Sequence, residues 1–113
     1  MPLPRPAGRH NGRTMNSLSA IALSGLQGAQ LRVSSAGHNI ANAQTPDFRR
    51  QLVMQRAAAD GGVVTTLARA PVAGDALAED LVALKLGEHL FKANLQVLRT
   101  RDRMLGSLLD ETA

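Results

Sequence analysis

Leucines at 77, 84, 98 and 105, with Phe91 between them, recur every seven residues, a spacing that a strand cannot use. A second seven-residue series, Leu81, Glu88, Leu95, Asp102 and Leu109, alternates with the first at steps of four and three. Together they draw one apolar stripe along a helix of coiled-coil type. This predicts a long carboxy-terminal helix over residues 75–113. Asp75 is the expected N-cap, Glu79 and Asp80 complement the positive end of the helix dipole, and Arg99, Arg101 and Arg103 favour its far half. Glu88 and Asp102 interrupt the stripe. Either they rotate toward solvent, because 3.6 residues per turn does not divide seven, or one of them faces a polar partner and fixes register.

The same beat appears upstream. Leu26, Val33 and Ile40 occupy one seam position, and Ala22, Ala29, Ala36 and Ala43 the other. They predict an amino-terminal helix over residues 16–43 with an all-alanine layer that lets another helix approach closely. A helix of roughly 26 residues is about 39 Å long at 1.5 Å per residue, too long for one small core to bury. Composition agrees: of 113 residues only two are Phe, and Trp, Tyr and Cys are absent. A chain this short buries proportionally little surface. The expected fold is mainly α, two long helices forming a helical hairpin or coiled coil.

Between the helices, residues 44–74 carry Pro46, the Gly61-Gly62 pair, Pro71 and Gly74. They read as an irregular connector with at most a small β element. "VVTTLA", residues 63–68, has the composition of a strand but no evident partner strand. Residues 1–15 hold three of the five prolines and no apolar periodicity, and are expected to be a disordered extension; Met15 opens a segment that itself reads as a start. Of the formal net charge of +4, Arg5, Arg9 and Arg13 account for most, and the remainder is nearly balanced. No apolar run has the length of a secretory signal or a membrane span.

Residue chemistry argues against catalysis. His10, His38 and His89 are scattered, without cysteine or a carboxylate spacing that would hold a metal. His38 lies one helical turn from Ser34 and Ser35, but no nucleophile elbow or oxyanion-forming turn accompanies them. "SGLQG", residues 24–28, lacks the Lys and Ser/Thr of a phosphate loop. "RTRDR", residues 99–103, reads as a solvated helix face rather than a nucleic-acid contact, because stacking aromatics and a broad basic surface are missing. No cofactor is expected.

The segment "ALSGLQGAQLRVSSAGHNIANAQTPDFRRQ", residues 22–51, resembles the amino-terminal signature of the bacterial flagellar axial proteins of rod, hook and hook junction. That pattern is a helix ending in Asn-Ile-Ala-Asn, a polar step, Thr-Pro-Gly, an aromatic and basic residues. Asn39, Ile40, Ala41, Asn42, Thr45, Pro46, Phe48, Arg49 and Arg50 meet it. Residues 77–110 resemble the family's other end through Phe91, Ala93, Asn94, Met104, Leu105, Leu108 and Leu109. Asp47 stands where the family has glycine, and the connector is too short for the outer domains of larger members, which brings the chain nearest the small proximal-rod proteins.

The resemblance implies a non-enzymatic structural subunit that packs with copies of itself and other rod subunits. It would be exported without a cleaved signal by the flagellar type III apparatus and assembled in the periplasm at the basal body. Subunit packing would fall to Leu26, Val33, Ile40, Leu84, Phe91, Leu98 and Leu105, and the turn motif to Asn39, Asn42, Thr45, Pro46, Asp47, Phe48 and Arg49. Pro46 ends the helix near Ala43. Phe48 then either anchors on a neighbouring subunit, with Arg49 and Arg50 at a polar rim, or folds back on its own helices. A cytoplasmic coiled-coil adaptor or regulator is the alternative reading, and a basic nucleic-acid-binding helix pair a third.

Overall fold

The computed structural model describes the backbone of residues 8–112 and the side chains of residues 17–111. The element order is α1 (Gly8–Ala41), β1 (Gln51–Ala57), β2 (Val63–Arg69) and α2 (Leu77–Thr112). The protein is therefore mainly helical, with two long helices and a small two-stranded antiparallel sheet between them. α1 begins at Gly8, eight residues before the expected start at Asn16. The last proline of the amino-terminal segment is Pro6, so no residue from 8 onward bars the helix from growing upstream. Of the extension expected to be disordered, residues 1–7 lie outside the described residues.

The helices run antiparallel, with Asn39 beside Asp80, Val33 beside Gly87 and Gly25 beside Asn94. The alanine layer makes the closest contact: Ala22, Ala29 and Ala36 are 2%, 1% and 2% exposed and are the buried apolar residues of the described chain. Opposite Ala29, a Cβ on Gly87 would stand 2.8 Å from Val33 Cγ2 and 3.3 Å from the Ala29 carbonyl. The small residues on both sides thus set the helix separation.

On α2 the Leu84–Leu98–Leu105 line is half-buried, but its companion layer is not the leucine series. Leu81, Glu88, Asp102 and Leu109 are exposed, and Leu95 is half-buried. The inner positions are Asp80 and Gly87, both buried, with Asn94 and Arg101 half-buried. A four-three alternation can be closed on either side of the Leu84 line. The close approach at Gly87 and the polar contacts of Asp80 rotate α2 to the small and polar side.

The connector carries the small β element allowed for it, a hairpin whose second strand, β2, covers the strand-like stretch at residues 63–68. β1, "QLVMQRA", is the partner strand that the sequence does not advertise, since Gln, Leu, Met, Arg and Ala all favour helix. It pairs with β2 in register from Gln51↔Arg69 to Ala57↔Val63. The loop between them closes through Ala58 N–H to Gly62 O (3.1 Å) and Gly61 N–H to Ala58 O (3.2 Å), with Gly61 and Gly62 at φ of 89° and 82°. The hairpin lies on α1 rather than on α2. Its tip is latched there where Val63 N–H donates to Ser24 Oγ (3.3 Å) and Arg32 Nη2 donates to Gln55 Oε1 (2.7 Å).

These pieces form a slab of 66 × 37 × 14 Å with a radius of gyration of 19.7 Å. A compact chain of this length has a radius near 13 Å. The slab is thin, and among the described residues its apolar core is the alanine layer of Ala22, Ala29 and Ala36.

Candidate functional site

The motif residues converge on one joint, where the end of α1, the start of β1 and the first turn of α2 meet. Ala41 is the last helical residue, two short of the expected Ala43. Asn42 N–H reaches the His38 carbonyl (3.1 Å) and its Nδ2 donates to the same oxygen (2.9 Å). Thr45 Oγ1 donates to Asn42 Oδ1 (3.2 Å). Phe48 N–H then closes a turn on the Thr45 carbonyl (3.3 Å), with Pro46 at its second position and Asp47 at its third. Asp47 has φ of 59°, the left-handed value that a type II turn demands there and that glycine adopts without steric cost.

Phe48 turns back onto its own chain. Its ring meets the edge of His38 at 5.4 Å between centroids and 62° between planes. Its carbonyl accepts from Gly74 N–H (3.1 Å), which draws the approach to α2 against the motif. Arg49 remains exposed and donates from Nε to the Ala70 carbonyl (2.6 Å).

Asn39 and Arg50 point inward. Asn39, 3% exposed, offers its carboxamide to the backbone of Gln51 as a neighbouring strand would. Nδ2 donates to Gln51 O (2.9 Å) and Oδ1 accepts from Gln51 N–H (2.8 Å). The same Nδ2 donates to Asp80 Oδ1 (3.2 Å). Arg50 grips the other side of that carboxylate in a two-point arrangement, Nη2 to Oδ1 (2.5 Å) and Nε to Oδ2 (3.1 Å). Glu79 Oε2 lies 3.7 Å from Nη1. Arg50 is not a rim residue, as the sequence suggested. Its pKa is raised, chiefly by the hydrogen bond to Asp80, which outweighs the opposing effect of burial.

Asp80, 3% exposed, is the residue that sequence reasoning missed in this role. Its signal was present, an acid in the first turn of a helix preceded by a motif carrying two arginines, but it read as a dipole complement alone. Asp75, the expected N-cap, lies one residue outside: Asp80 N–H bonds the Ala76 carbonyl, which makes Ala76 the cap.

The joint borders a cleft of about 200 Å³ lined by Arg32, Ser35, Asn39, Arg50, Glu79 and Asp80, among others. Its charges balance, two arginines against two acids. Ser35 is buried, while His38 is exposed and held edge-on against Phe48, so the pair is not arranged as nucleophile and base. Among the described residues no His, Asp and Glu cluster could hold a metal, and no helix is long and apolar enough to cross a membrane. What this arrangement does is fix angles between elements.

The residues expected to pack against other subunits are neither fully buried nor fully free in the single chain. Leu26, Val33, Ile40, Leu84, Leu98 and Leu105 are half-buried, and Phe91 is 38% exposed. Outside that seam α2 carries a further stripe, Val82, Leu86, Ala93, Val97 and Met104, spaced four and seven apart and exposed along its length. The apolar surface of α2 is therefore far wider than α1 covers.

No protein-family model matches the chain, and no curated protein matches it by sequence.

Proposed function

We propose that the protein is a structural subunit of the bacterial flagellar basal-body rod, of the small proximal kind, which assembles through coiled-coil packing of its terminal helices. The observation that carries this reading is the joint. Asn39 and Arg50, two residues of the segment that resembles the axial family, meet Asp80 at the start of the other helix. The signature residues thereby set the angle between helix pair and hairpin in a thin slab whose second helix keeps an apolar flank uncovered. Such a part suits a wall of repeated subunits, in which neighbours supply the core that each chain lacks. In family terms the partners are other rod subunits and further copies, delivered by the flagellar export apparatus to the periplasm.

An epitope-tagged copy expressed from its own locus tests the reading. The tag is expected in purified basal bodies and not in the soluble cytoplasmic fraction. Recovery from the cytoplasm alone, with none in basal bodies, would replace the rod reading with the coiled-coil adaptor.

A further inference from the structure

We infer that the β-hairpin is a hinged arm: its feet are fixed at the joint, and its far half lifts from α1 while the two helices stay paired. This rests on no part of the rod reading.

The two ends of the hairpin are held unequally. At its feet Asn39 binds both backbone groups of Gln51, Arg50 is paired with Asp80, and Gly74 N–H closes on the Phe48 carbonyl (3.1 Å). Asn39 and Asp80 are each 3% exposed, so water does not compete for these bonds. At the tip the hold is thin. The hairpin lies on α1 and not on α2, and no residue of either strand is buried. Val63 N–H reaches Ser24 Oγ only at 3.3 Å, and the bond from Arg32 to Gln55 is exposed.

The seat beneath the arm is "SGLQG", residues 24–28, whose two glycines serve different neighbours. A Cβ on Gly25 would strike Asn94 of α2. One on Gly28 would stand 2.6 Å from Gln55 Nε2 and 2.9 Å from Thr65 Oγ1. The arm thus rests on Gly28 chiefly through an amide and a hydroxyl, groups that water satisfies once the arm is raised. Arg32 Nε and Ser35 Oγ are buried without a hydrogen-bond partner, and both residues line the cleft that Gln51, Leu52 and Val53 of β1 also border. Lifting the arm admits water to both atoms, so the closed state carries a cost that the open one does not. An arm held firmly at one end and weakly at the other opens as a unit of its own, short of global unfolding.

Amide hydrogen exchange by NMR, at a protein concentration where helicity has reached its plateau, reads the two ends separately. Val63 N–H reports the tip, Gln51 N–H the hinge, and the amides of residues 87–94 the helix pair. In wild type, Val63 should be protected at least about tenfold less than Gln51, and low urea should speed its exchange because lifting exposes surface. Gly28→Val fills the seat while leaving Ser24 and Val63 in place. It should speed Val63 exchange about tenfold or more, with Gln51 and α2 unchanged. Gly28→Ala, which also favours helix, should act on Val63 in the same direction to a smaller degree. The inference is overturned if Val63 exchange is indifferent to urea, or if Val63, Gln51 and α2 exchange through one common opening. It is equally overturned if the two Gly28 variants leave Val63 as in wild type or loosen α2 along with it.

Discussion

Truncating Arg50 leaves the Asp80 carboxylate buried with only Asn39 for company, and truncating Asp80 leaves the guanidinium inside without its acid. Breaking a fully buried ion pair costs about 3–5 kcal/mol, but Arg50 is part-buried and keeps Glu79 near, so the loss here is about 2–3 kcal/mol. Arg50→Ala and Asp80→Ala should each destabilise by that order in urea denaturation. The double variant should lose clearly less than the sum, and strict additivity would show that the pair does not act as one unit. Because the fold raises the Arg50 pKa, its contribution is present at and below the ordinary guanidinium range, and is lost only as pH rises through the raised value. At Asp47 the φ of 59° sets the direction of two further changes. Asp47→Gly should stabilise by up to about 1 kcal/mol and Asp47→Val should destabilise by about 1–2 kcal/mol, since a β-branched residue resists that conformation. Equal midpoints for Gly and Val would remove the turn from the account.

At the scale of elements, helix spacing depends on where small residues lie. Gly87→Ala pushes a methyl group toward Val33 and the Ala29 carbonyl, whereas Gly106 has nothing within 4 Å of an added Cβ. The first should cost about 1–3 kcal/mol by overpacking, and Gly106→Ala should gain about 1 kcal/mol from helix propensity alone. Thermal melts of the two variants check the opposite signs. The helices and the alanine layer were legible because periodicity reports local geometry directly, and the stop before Pro46 because proline chemistry is local too. The companion layer of α2 was not, because leucine at 81, 95 and 109 outweighed Asp80, Gly87 and Asn94 in any hydrophobic count. Only the position of α1, a tertiary fact, decides between them. β1 was hidden for the converse reason: its residues favour helix, and β2 and Asn39 override that preference from outside the segment. Arg50 and Asp80 lie thirty residues apart, and an acid in a first turn downstream of two arginines does not say in sequence which arginine it meets, or that it meets one at all.

Taken whole, the molecule is a slab whose buried apolar residues, among those described, are three alanines. Burial of Ala22, Ala29 and Ala36 with half-buried leucines contributes little beside the entropy of ordering two helices of about 50 Å. Helicity should therefore rise with protein concentration, and the melting temperature with it; a sharp, concentration-independent transition at low concentration would mean a self-sufficient core exists. The proposed assembly assigns the missing burial to neighbours seated on the outer stripe of α2. Leu86 and Val97 test this better than seam residues such as Leu98 and Leu105, because they are exposed and leave the α1–α2 contact alone. The decisive measurement is the amount of tagged Leu86→Glu/Val97→Glu chain in purified basal bodies, normalised to its amount in the cell. Buried unpaired carboxylates at a subunit contact are costly, so the variant should be produced and helical in vitro yet depleted at least about tenfold from basal bodies relative to wild type. Recovery of the variant at the wild-type level would contradict the account.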